Sequence, residues 1–394
     1  MQRLGNMIRQ LALHRSHWEG LMKAAATSAA PLEPSEASPS RLTETGTFGS
    51  NPGNLRMFAY VPPELPPSPA LVVVLHGCTQ NAAGYDLGSG WSVLAERYGF
   101  VVLFPEQKEA NNPKRCFNWF QSSHIERERG EVASIRQMVE RAVRDHGIDR
   151  DRVFVTGLSA GGAMTAAMLA TYPEVFAGGA IIAGLPYRCA TSVSEAFECM
   201  FQGHTRPARE WGDLVRHASQ HQGPWPKVSV WHGSADTTVK LVNAGEIIKQ
   251  WTDVHGIASS PSRSEMVDGY PRRVWTNDVG EDVIEEYIIS GMAHGTPLAT
   301  GDGDDQYGVP GPFLLEVGIS SSYHIAKFWG LTERVVSPRR SSASSKLDAD
   351  RPSHSQAHSE ARNDSNHHGT KAPSSPSELG AVIARALKAA GLMR

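Results

Sequence analysis

Residues 153 to 170 restrict the fold of this chain more than any other stretch. Val153-Phe154-Val155-Thr156 is short, apolar and mostly β-branched, as a strand buried on both sides must be. Ala163-Met164-Thr165-Ala166-Ala167-Met168-Leu169-Ala170 is small and mostly unbranched, as suits a closely packed helix. Gly157-Leu158-Ser159-Ala160-Gly161-Gly162 joins them, the one G-x-S-x-G in the sequence. Its glycines leave room for a strained turn that lifts the serine hydroxyl above the edge of the sheet. A buried strand that turns directly into a helix is the repeating unit of a parallel sheet covered on both faces.

That unit recurs along the chain. Leu55 to Val61 alternates as a strand, Pro62 to Pro69 must be a surface loop, and Leu71-Val72-Val73-Val74-Leu75 is another doubly buried strand. Trp91 to Tyr98 has a helical pattern, and Phe100 to Phe104 reads as a strand. Between Glu131 and His146, Ile135, Met138, Val139, Ala142 and Val143 fall on one helical face, with Gly147 placed as a C-cap. Further strands are expected at Ala180 to Ala183 and Val228 to Trp231, and a hairpin at Arg273 to Thr276 with Val283 to Ile289. Helices are expected at Val242 to Val254 and Ser321 to Trp329. The fold class is therefore α/β, a mainly parallel sheet with right-handed crossovers.

The predicted ordered domain spans 45 to 332. Within it, the polar, aromatic-rich stretch 187 to 226 interrupts the strand rhythm and reads as a helical cap insertion. Residues 1 to 44 read as an amphipathic helix followed by an Ala/Ser/Pro/Gly linker, and 333 to 377 as a disordered linker. In 378 to 394, Leu379, Val382, Ile383 and Leu387 form an apolar stripe beside Arg385 and Lys388. Such a helix could dock on a polymer granule, on a membrane or on the domain itself.

A net charge of −3 with interspersed signs gives no reason to expect nucleic acid as a partner. No apolar run approaches the roughly 18 residues of a membrane span. The basic segment Met1 to Lys23 lacks the unbroken apolar core of a signal peptide, and four cysteines are few. A cytoplasmic location is expected, with two disulfides and export as the alternative. His367-His368 falls in the polar tail and no metal-ligand spacing appears, so neither metal nor cofactor is expected. Oligomeric state leaves no mark in the sequence.

A serine hydroxyl needs a base, and the base needs an orienting group. When the serine sits on a strand–helix elbow, the acid follows a late strand and the histidine comes after the last. Asp236, in Trp231-His232-Gly233-Ser234-Ala235-Asp236, and His294, in Gly291-Met292-Ala293-His294-Gly295-Thr296, satisfy that order. Asp278 and Asp282 lie between the strands of the hairpin, His324 falls in a helical pattern, and His232 precedes the acid. An oxyanion requires N–H donors, expected from Ala160 and from Cys78 in His76-Gly77-Cys78-Thr79-Gln80. Cys116 lies in the other loop expected on this face, so a Cys78–Cys116 bridge and two buried free thiols are both compatible. Trp119 and His76 are the candidate substrate contacts, although a packed core tryptophan fits position 119 equally well.

His76-Gly77-Cys78-Thr79-Gln80, Cys116-Phe117-Asn118-Trp119-Phe120, the 157 to 162 elbow, 232 to 236 and 291 to 297 occur in an order that resembles the polyhydroxybutyrate depolymerase family of esterases. The resemblance covers about 50 to 332. It implies an α/β-hydrolase fold and ester hydrolysis through an acyl-serine on Ser159, with Asp236 and His294. Its implied substrates are short hydroxyacyl esters such as poly- or oligo-3-hydroxybutyrate, with a polyester granule surface as a partner. Because the family also holds feruloyl and acetylxylan esterases, a carbohydrate ester is the alternative. Two further readings are a serine peptidase on the same fold and, from another class, a non-catalytic granule-binding protein on a hydrolase scaffold.

Overall fold

The structure, a computed structural model, describes residues 40–333. The helix expected within 1 to 23, the linker beyond 333 and the C-terminal helix lie outside the described residues. In chain order the strands are β1 (Thr43–Thr45), β2 (Arg56–Tyr60), β3 (Leu71–Leu75), β4 (Val101–Glu106), β5 (Val153–Leu158) and β6 (Gly178–Ile182). There follow β7 (Lys227–Gly233), β8 (Arg263–Val267), β9 (Tyr270–Thr276), β10 (Asp282–Ile289), β11 (Thr296–Leu298) and β12 (Leu314–Glu316). The helices are α1 (Ala82–Ser89), α2 (Trp91–Tyr98), α3 (Ser122–Ile125), α4 (Gly130–His146) and α5 (Ala160–Thr171). They continue as α6 (Val193–Phe201), α7 (Ala208–Arg216), α8 (Val242–His255) and α9 (Ser321–Phe328).

Ten strands form one sheet in the order β1-β2-β4-β3-β5-β6-β7-β10-β9-β8. From β4 to β10 every neighbouring pair is parallel. The antiparallel pairs lie at the two margins, β1-β2-β4 on one side and β10-β9-β8 on the other. The doubly apolar strands occupy the centre because only there are both faces covered. Within β3, Leu71, Val73 and Leu75 join one core, while Val72 and Val74 join the core on the opposite face. On the second face Trp329 stacks on Phe154 at 4.8 Å, which locks α9 against β5.

The expected elements are present with small shifts. The strand expected at Ala180 to Ala183 begins at Gly178, and the hairpin gains a third strand, β8. That strand, Arg-Ser-Glu-Met-Val, is exposed along most of its length, so it lacks the apolar signal of a core strand. The stretch 187 to 226 divides in two. Its first half supplies α6, which borders the cavity described below. Its second half, α7, buries Trp211 completely and hydrogen-bonds the indole to Glu246 on α8, so it belongs to the body of the domain.

Candidate active site

Open α/β sheets gather ligands at the carboxyl ends of their strands. The loops after β3, β5, β7 and β10 meet at that edge, and the elbow sets their spacing. Ser159 has φ 57° and ψ −114°, a conformation costly for a non-glycine residue, and its N–H donates to Ile182 O at 2.9 Å. Gly161 makes the turn sterically feasible: a Cβ there would lie 2.2 Å from Leu75 O. The Ser159 side chain, 6% exposed, lines a mostly apolar cavity of about 150 Å³ together with Cys78, Ala160 and Trp119.

Asp236 follows β7 and is fixed on both carboxylate oxygens. Its Oδ1 accepts the Thr238 and Val239 N–H groups at 2.8 and 2.9 Å, and its Oδ2 lies 2.7 Å from His294 Nδ1. Burial pushes this carboxyl up, but the His294 imidazole, His232 and the Val239 N–H outweigh it and hold the group below its ordinary range. A carboxylate there requires a proton on His294 Nδ1, which leaves Nε2 as the basic nitrogen. The loops that carry the pair are laced together: Ala235 N–H donates to Met292 O at 3.0 Å, and Gly291 N–H to Ser234 Oγ at 2.8 Å. Phe313 meets the His294 ring edge-on at 6.0 Å.

Two of the rival residues are engaged elsewhere. Asp282 pairs with Arg263, and His324 bonds Asp268 at 2.8 Å. His232 Nε2 donates to Val239 O at 2.7 Å, and burial pushes its imidazole towards the neutral form.

In the turn after β3, Gly77 N–H donates to Gln80 Oε1, Gln80 N–H to Gly77 O and Thr79 N–H to Lys114 O. The Cys78 N–H is left without an acceptor among the described residues. Ala160 opens α5, where a helix's first N–H groups have no internal acceptor. A disulfide joins Cys78 to Cys116 and ties this turn to the loop that bears Trp119. Trp119 fits both readings of the sequence, since it is 6% exposed and also forms cavity wall.

The expectation for His76 is corrected. It is fully buried, donates from Nδ1 to Gly77 O at 2.7 Å and accepts the Gln107 N–H on Nε2 at 3.1 Å. The residue directly after a doubly buried strand still points into the packed layer, here against Phe117, and so braces the turn from below instead of meeting a ligand.

Glu131 was not singled out from the sequence, where it reads as a helix-start acid. It is fully buried and accepts from Gln107 Nε2, Asn118 N and Asn118 Nδ2 at 2.7, 2.8 and 2.6 Å, fixing the residue before Trp119. Burial pushes its carboxyl up to about 7. Asn118 in the motif was a signal that the loop carries polar demands, but nothing in the spacing names their partner.

The family model described as Esterase PHB depolymerase matches residues 56–265, more than half of the chain. The chain is 48% identical to poly(3-hydroxyalkanoate) depolymerase C of Paucimonas lemoignei, over 79% of this chain and 76% of that protein. The chain belongs to the PHB depolymerase family of esterases. The chain is also 35% identical to an acetylxylan esterase of Coprinopsis cinerea, over 65% of this chain and 70% of that one. An acetyl xylan esterase structure from Aspergillus awamori superposes with a TM-score of 0.63 at 27% identity, covering 74% of this chain and 99% of that one. The fold is thus the α/β-hydrolase fold, and the protein is an ester-hydrolysing enzyme. No helix among the described residues is long and apolar enough to cross a membrane.

Proposed function

We propose that this esterase cleaves short-chain hydroxyacyl esters, poly- or oligo-3-hydroxybutyrate, with Ser159, His294 and Asp236 as its catalytic triad. The observation that carries the reading is the Asp236–His294 hydrogen bond at the sheet edge that also bears the strained Ser159. His294 Nε2 takes the proton as Ser159 Oγ attacks the ester carbonyl, and the imidazolium gains its charge beside the Asp236 carboxylate. The Cys78 and Ala160 N–H groups receive the oxyanion. The alkoxide leaves with the proton from His294, and water activated by the same nitrogen releases the acyl group.

The mostly apolar cavity beside Ser159, with Trp119 and Phe120 on its wall, favours a small methyl-bearing acyl unit. The 48% identity to a poly(3-hydroxyalkanoate) depolymerase supports that acyl class, and a polyester surface is its natural partner. Acetyl or feruloyl sugar esters are the second reading, favoured by the acetylxylan esterase likeness. The oriented imidazole argues against a non-catalytic binding role. The Cys78–Cys116 bond supports the extracellular alternative over the cytoplasmic location.

Hydrolysis of p-nitrophenyl butyrate is the direct test. Ser159→Ala is expected to lower kcat by about 10⁴-fold or more; wild-type turnover that the variant matches would end the reading. Comparison of hydroxybutyrate oligomers with acetyl and feruloyl sugars then assigns the acyl group.

A further inference from the structure

The cavity beside Ser159 has one charged residue on its wall among the described residues, Lys114. Its neighbours there include Trp119, Phe120, Phe197, Met200 and Val239, which present only hydrocarbon, aromatic or thioether surface. Both backbone groups of Lys114 are held. Its carbonyl accepts the Thr79 N–H at 2.7 Å, and its N–H donates to Asn112 Oδ1 at 3.0 Å. Two residues on, Cys116 closes the disulfide to Cys78. The residue is therefore anchored to the turn proposed to receive the oxyanion. The neighbouring carboxylates are committed elsewhere, Glu109 to Arg115 and Glu131 to Asn118 and Gln107. A largely apolar cavity whose wall carries one cation, held at its backbone, suits an amphipathic substrate bearing one negative charge.

We propose that Lys114 binds the terminal carboxylate of short hydroxyalkanoate oligomers, so that the enzyme prefers acid-ended chains to neutral esters. This rests on the esterase reading and names the substrate within it. Each hydrolysis of a hydroxyacyl ester leaves a free carboxylate on one fragment, whereas an acylated sugar is neutral and a long polyester carries one carboxylate per chain. An ammonium at this position thus distinguishes the products of polymer cleavage, themselves oligomeric substrates, from sugar esters of similar acyl size. Because Lys114 is solvent-exposed, the pair is expected to contribute about three- to fivefold in affinity.

Binding can be measured without turnover in Ser159→Ala, by calorimetry with the 3-hydroxybutyrate trimer as free acid and as methyl ester. The acid should bind about three- to fivefold tighter, and adding Lys114→Gln should abolish the difference while Lys114→Arg keeps it. Raising the salt to about 0.5 M should shrink the preference. Equal affinity for acid and methyl ester in Ser159→Ala, or a preference that survives Lys114→Gln, would overturn the assignment. Wild-type hydrolysis of p-nitrophenyl butyrate reports the esterase reading separately, since that substrate carries no carboxylate.

Discussion

At Asp236 the environment matters more than the residue type. Two backbone N–H groups fix one carboxylate oxygen, so the other can be aimed at His294 Nδ1 without rotating away. Asp236→Asn would accept those same N–H bonds but would turn an amide N–H towards His294, forcing the proton onto Nε2. Such a variant should fold normally and lose about 10⁴-fold in kcat, and the loss should persist at every pH. Wild-type-like turnover, measured with p-nitrophenyl butyrate, would remove Asp236 from the mechanism. The order of residues behind successive strands points to Ser159, Asp236 and His294, and of these the structure joins Asp236 to His294 by a hydrogen bond. His76 was misread because the same order says nothing about which way a strand-end side chain points. Phe313 and Glu131 left no mark, since their roles come from contacts made by distant segments.

The loops that carry Cys78 and Cys116 are separate segments, and the disulfide between them spans 38 residues. Buried bonds reinforce the same junction from below: Gly77 O to His76, His76 to Gln107, Gln107 to Glu131, and Glu131 to Asn118. The turn and the Trp119 loop thus form one unit, braced covalently at the cavity and by hydrogen bonds beneath it. Replacing both cysteines, Cys78→Ala with Cys116→Ala, should cost about 4 kcal/mol of stability for a loop of this length. It should also lower kcat more than it raises KM, because the Cys78 N–H loses its fixed direction while the acyl wall stays apolar. Urea unfolding and steady-state kinetics check the two parts; unchanged kcat with lowered stability would make the bond purely structural. The core strands and the amphipathic helix α4 were readable because burial on two faces, or on one, writes its period into the chain. Edge strands such as β8 were not, because a strand open to solvent follows no such pattern.

For the whole molecule, shifted carboxyls among the described residues include two groups with opposite pH behaviour. Glu131 and Asp86 have few compensating charges, and burial pushes them up to about 7 and about 6. A carboxyl raised in the folded state favours folding below its unfolded value and loses that contribution as pH rises through its folded value. Glu131 should therefore make the protein less stable between about pH 4.5 and 7, by up to about 3 kcal/mol. Asp236 and Glu140 are held below their ordinary range, and Glu140 falls to about 2 through its hydrogen bonds with Arg150 and Arg136. Their contribution is present above pH 4 to 5 and disappears in stronger acid. Urea unfolding of the wild type and Glu131→Gln at pH 4.5 and pH 7.5 isolates the first slope, because glutamine does not titrate. The wild type's margin over the variant should shrink by about 3 kcal/mol between those two pH values. A margin independent of pH would mean that the three donors around Glu131 already stabilise its carboxylate fully. The brace beneath the Trp119 loop would then be ionised throughout that range.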